Sequence, residues 1–288
     1  MAVSSHNIDG EVRVQLSLGH RERAIAALGE EVGAAEYLSE GSSIDLRLGA
    51  YEEALMSGNP GQALIGARTL LMHAPKLPFI WWAAKSLEGR ALLDLGFYDE
   101  AMQEIDPGLL RTQRNQFWWY DTLLTLAWVH LFRGEWREVR RAVVPRLLLC
   151  QLSGFAPWFQ GQGNLLLGLT AQDPVARRLH FLQASEAFER SGQIAVYPSS
   201  WKAENLYFSA VAAFEASGET DPSPLARAKL LLNAPEWVSE TFLPVKEALS
   251  RQLTSARGGE MDPPSGRVPR RYLANLERFA VGSVSVYL

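Results

Sequence analysis

Two stretches of this chain, LDLGFYDEA and LFRGEWREV, share one pattern: a glycine, an aromatic residue two places on, and a small apolar residue three beyond that. Gly96, Tyr98 and Ala101 recur as Gly134, Trp136 and Val139, an interval of 38 residues. With the glycine as marker, earlier loops fall at Gly19 and Gly58, giving successive steps of 39, 38 and 38. A further step of 38 reaches Gln172 in the turn-forming stretch TAQDPVA, and a later break comes at Gly218 in ASGETDPSP. A fixed period of this size leaves few folds open. Each unit must be one supersecondary element that buries its apolar face against its neighbours.

Within a unit the apolar spacing is helical. Leu87, Ala91, Leu92 and Leu95 precede Gly96 at three- and four-residue steps, and Tyr98, Ala101, Met102 and Ile105 follow it in the same way. Gly96 stands where the first helix must end, and a glycine there adopts the left-handed conformation without a Cβ penalty. Asp99 and Glu100 fall in the first turn of the second helix, where the helix dipole favours negative charge. Ala101 is small, as a close helix crossing demands. The pattern therefore predicts a tight helix–turn–helix corner.

These units resemble the tetratricopeptide repeat. SLEGRALLDLGFYDEAMQEI supplies Gly89, Gly96, Tyr98, Ala101 and Ile105, and LAWVHLFRGEWREVRRAVV supplies Ala127, Gly134, Trp136, Val139 and Val143. GNPGQALIGA adds Gly58, Ala63 and Ala67, GHRERAIAAL adds Gly19, Ala24 and Leu28, and LQASEAFERSG carries Ala184 and Phe188 at the same four-residue offset. The last segment is similar to the longer helical repeats of large LuxR-type regulators. The resemblance implies an all-α, right-handed superhelix of five to six stacked antiparallel helix pairs, here over residues 1–256. A Gly-, Pro- and Arg-rich linker at 257–271 follows, then a capping helix and extended tail at 272–288, whose Tyr287 and Leu288 are expected to be buried on the last hairpin or across a dimer contact.

The resemblance also implies that first helices line a concave groove. Carried over unit by unit, the groove positions are Asp45 and Glu52, Ser86 and Arg90, Asp121 and Trp128, and Phe159 and Gln162. Arg90 flanked by Glu52 and Asp121 could clamp a peptide backbone or a charged chain end. Each polar position taken singly also reads as an ordinary half-exposed residue.

Composition narrows the function classes. A chain of 288 residues, 47% hydrophobic and 21% charged, can bury a sizeable core, and its net charge of −4 gives no reason to expect nucleic acid or an anionic membrane as partner. The longest uncharged stretch, LLLCQLSGFAPWFQGQGNLLLGLTAQ, carries glutamines, glycines and Pro157 that make it a poor membrane span, so it reads as protein interior. Cys150 is the single cysteine, which fits a reducing compartment, and the opening MAVSSHNIDGEVR lacks the basic and apolar regions of a signal peptide. A cytoplasmic setting is the expectation.

Few residues invite catalysis. The five histidines are scattered, there is no H-E-x-x-H or C-x-x-C, and GQGNLLLG lacks the Gly-Lys-Ser/Thr of a phosphate loop, so no metal or cofactor is expected. Arg133, Arg137, Arg140, Arg141 and Arg146 form a basic stripe, interrupted by Glu135 and Glu138, which reads as a solvated face. FIWWAAK, QFWWYDT and APWFQGQ open successive first helices, with Trp81, Trp119 and Trp158 at steps of 38 and 39. Large aromatics there either wedge stacked hairpins apart or line a binding face.

The function expected is a non-catalytic scaffold or adaptor that docks a peptide or protein segment in its concave groove. Two alternatives stay open: a ligand-sensing module acting through a separate output protein, and an α/α-toroid enzyme with a closed pocket.

Overall fold

The computed structural model describes residues 48, 51–52, 54–55, 60–73, 78–105, 117–194, 199–216, 223–233 and 250. Every regular element among them is a helix. The first units' Gly19 and Gly58, groove candidate Asp45, the break at Gly218, and the linker and tail with Tyr287 and Leu288 all lie outside the described residues.

The described helices are α1 (Pro60–His73), α2 (Pro78–Leu95), α3 (Tyr98–Glu104) and α4 (Phe117–Phe132). Next comes α5, built from Trp136–Glu138, a π-helical turn Val139–Val143, and Val144–Leu148. Then follow α6 (Ala156–Thr170), α7 (Pro174–Gly192), α8 (Ser199–Glu215) and α9 (Ser223–Leu232). Each helix packs on the one before and after it, and α2, α4 and α6 also pack in succession on one another.

The repeated corners have the structure their residues dictate. Gly96 and Gly134 both take positive φ, 85° and 75°. At the first corner Gly96 N–H donates to the Leu93 carbonyl (3.0 Å) and Phe97 N–H to the Leu92 carbonyl (2.9 Å). The second repeats this, Gly134 to Leu131 (3.0 Å) and Glu135 to His130 (2.9 Å). Both are Schellman caps, which satisfy orphan carbonyls of the ending helix and turn the chain. Ala101 and Val139 are then fully buried. A Cβ on Gly89 would come within 2.8 Å of Ile105 Cδ1, so glycine at this point lets α3 lie close on α2. At Gln172 the chain turns by other means: α6 ends at Thr170, and the Asp173 carboxylate caps α7 by accepting from Ala176 N–H at 2.8 Å.

The π turn in α5 has a local cause. Pro145 donates no backbone hydrogen bond, and its ring would collide with the carbonyl four residues back; widening the preceding turn relieves that clash.

Two apolar clusters fill the interior. The larger joins the end of α2, through Leu92 and Leu93, to α3 through α9; the smaller gathers Leu48, Leu55, Ala63, Leu70, Trp82 and Leu87 around α1 and the rest of α2, and also takes in Trp118. Helix α4 is buried continuously from Trp118 to Val129, as a central element must be. The aromatic ladder belongs to this packing. Trp119 and Trp158 are buried, Trp158 meets Phe188 at 5.5 Å and Phe208 at 5.8 Å, and Phe117 bridges to Phe155 and Phe159 of the next unit at 4.8 and 5.6 Å. Trp81 is half-buried, edge-on to Trp82 at 5.2 Å.

Candidate functional site

Four of the groove positions come together. Arg90 of α2 lies 3.7 Å from the Glu52 carboxylate and 3.5 Å from that of Asp121 on α4, and Ser86, one turn before Arg90, donates its hydroxyl to Asp121. Residues 86 and 90 share a face of α2 because they are four apart. Asp121 meets them because α2 and α4 pack side by side. The cluster is graded in exposure: side chains are 24% accessible at Glu52, 12% at Arg90 and 8% at Asp121, while Ser86 is fully buried. The Arg90 guanidinium bridges the two carboxylates at a partly open spot, where carboxylate oxygens can accept from a cationic or N–H-donating group.

The other three described positions are interior. Trp128 and Phe159 are enclosed, with Trp128 6.1 Å from Phe132 and Phe159 5.3 Å from Tyr120, and neither offers contact area to a partner. Gln162 is 1% exposed, and its Oε1 has no hydrogen-bond partner. Sequence reasoning placed these on an open face because the α4 and α6 patterns do not mark which side meets solvent. Burial on all sides removes that signal.

A second ionic network runs beside the first. Glu88 of α2 accepts from Arg68 of α1 at 2.9 Å and from Lys85 at 3.0 Å, and Lys85 also pairs with Glu104 of α3. Burial acts to lower the Lys85 pKa, but the Glu104 and Glu88 carboxylates outweigh it and hold the ammonium charged. This strap ties three helices together. Sequence spacing did not single it out, since its partners are about twenty residues apart.

Nucleophilic chemistry finds no foothold at Cys150. The thiol is buried, burial pushes its pKa up, and its neighbour is the Tyr120 hydroxyl, itself pushed up by burial. Among the described residues no group of His, Cys, Asp and Glu is placed to hold a metal ion, and no helix is long and apolar enough to cross a membrane. The arginines of α5 behave as a surface: Arg137, Arg141 and Arg146 are exposed. Compared with known proteins, the chain matches no family model and no curated sequence.

Proposed function

We propose that this chain is a non-catalytic, tetratricopeptide-like scaffold whose stacked hairpins coil into a right-handed superhelix and dock a peptide or protein segment on the face formed by α2 and α4. One observation supports it above the rest. Glu52, Arg90 and Asp121 are carried by different helical segments, yet meet in a partly accessible row across first helices of consecutive units. Glu52 and Arg90 are 38 residues apart, and in a stacked array positions one period apart line one surface; Asp121 joins them from the neighbouring helix α4. The row would engage a basic side chain, an amino terminus or backbone N–H groups, with Arg90 holding the two carboxylates apart. Trp128, Phe159, Ser86 and Gln162 support that surface from within.

Charge reversal tests this. The tagged full chain is used to capture partners from lysate of its native cell, beside Glu52→Lys and Arg90→Glu variants checked for helicity by circular dichroism. A partner retained by the parent and lost on Glu52→Lys, the more exposed change, is the expected result. Retention by both variants would overturn the proposal.

A further inference from the structure

A second recess lies away from the Arg90 row, with a volume of about 400 Å³, between α5, α6 and α7. Leu148, Gln160, Asn164, Gln183, Glu186 and Arg190 line it. Nothing in the packing accounts for this set. Gln160 donates its amide to the Cys150 carbonyl at 3.3 Å, and Asn164 donates to the Gln160 carbonyl at 3.0 Å. Both bonds use amide N–H groups, which leaves the side-chain oxygens as the acceptors that these two lining residues can offer. Opposite, Glu186 and Arg190 are exposed and stand one helical turn apart, acid first, the spacing and order that favour a pair on one helix. No ion pair joins them, and both line the recess, with Glu186 also within electrostatic reach of Arg227 on α9.

The surface continues along α7. Val175 and Leu179 are 76% and 53% exposed, and with Gln183, Glu186 and Arg190 they share one face of the helix at three- and four-residue steps. From Val175 to Arg190 that face runs roughly 22 Å, the length of about seven residues of extended chain. A strip with an apolar end, acceptor oxygens in the middle and one charge of each sign has the chemistry of an extended peptide's counterpart. The oxygens match backbone N–H groups, Glu186 a basic side chain and Arg190 an acidic one.

We propose that the recess between α5, α6 and α7 is a second binding site for an extended peptide carrying an acidic and a basic residue. It lies on different residues from the Arg90 row, and stands or falls independently of that reading. The probe is a displayed library of random peptides about ten residues long, selected on the full chain, with affinities of enriched peptides then measured by fluorescence anisotropy. Binders should carry residues of both signs and lose about tenfold or more in affinity on Arg190→Glu or Glu186→Arg. The double reversal Glu186→Arg/Arg190→Glu should regain binding to a peptide with its own charges exchanged. Both positions are exposed, so the changes leave the helix intact. Absence of any binder, or binders indifferent to these variants, overturns the proposal. So do binders that respond to Glu52→Lys alone, since they would occupy the Arg90 row.

Discussion

Positive φ calls for glycine at both Schellman corners, and at Gly134 backbone geometry alone holds it, since a Cβ there would meet nothing within 4 Å. Gly96→Ala and Gly134→Ala should each cost about 1 kcal/mol, the strain of a left-handed alanine, measured by urea unfolding. Equal midpoints for parent and variants would remove the cap from the account. Beside the second corner, Glu135 meets His130 Nδ1 at 2.6 Å and Arg133 Nε at 2.7 Å, and these partners, the His130 bond foremost, hold its carboxyl below the usual carboxylate range. A carboxyl lowered by folding contributes stability that is full above its unfolded pKa, about 4.3, and fades as pH falls through the folded value. Glu135→Gln should therefore be less stable than the parent at pH 7, with the gap narrowing as pH falls below about 4.3 and through the lowered folded value. A gap that persists in acid would show that charge is not its source.

Between helices, close approach decides what the residues can be. Where α6 crosses α7, a Cβ on Gly168 would stand 2.6 Å from Phe181 Cε1, and one on Gly161 2.8 Å from Phe188 Cδ1. Both phenylalanines are fully buried, so neither ring has space to retreat. Gly168→Ala should lose about 1–3 kcal/mol by overpacking, even though alanine is the better helix former by about 1 kcal/mol. Thermal unfolding of this variant above the parent would mean that the helix pair is looser than the structure shows. The next crossing is held by polar groups: Ser185 and Ser209 each donate to the other's backbone carbonyl, at 3.1 and 3.0 Å, and Glu189 takes both Arg227 bonds at 2.6 Å, joining α7, α8 and α9.

At the scale of the molecule, α1 and α2 carry their own apolar cluster beside the larger one. A stack held by nearest-neighbour contacts should open by units rather than all at once. Leu87 is 1% exposed in the smaller cluster, and Leu87→Ala should cost about 2–5 kcal/mol. Hydrogen exchange should then speed up across α1 and α2 while α7 and α8 keep their protection. Uniform loss of protection along the chain would show one cooperative core instead.

Residues alone determined the local structure. Gly96 and Gly134 announced the corners through their spacing, because a helix end that needs positive φ restricts the residue whatever surrounds it, and three- and four-residue apolar steps announced the helices between them. Glu52 and Arg90 were legible together because they stand 38 residues apart, the spacing of the corners, whereas Asp121 and Ser86 joined them only through the packing of α4 on α2. Which faces meet solvent was settled by tertiary packing. Helix α4 is buried around its whole middle and α6 on most of its faces, with apolar residues on every side, hence Trp128, Phe159 and Gln162 looked the same in sequence whether they lined a groove or filled a core. The recess between α5, α6 and α7, and the strap that joins Glu88 to Arg68 and Lys85 to Glu104, exist only once separate helices are brought side by side. No spacing along the chain encodes them, because their energies arise between residues that the chain alone holds apart.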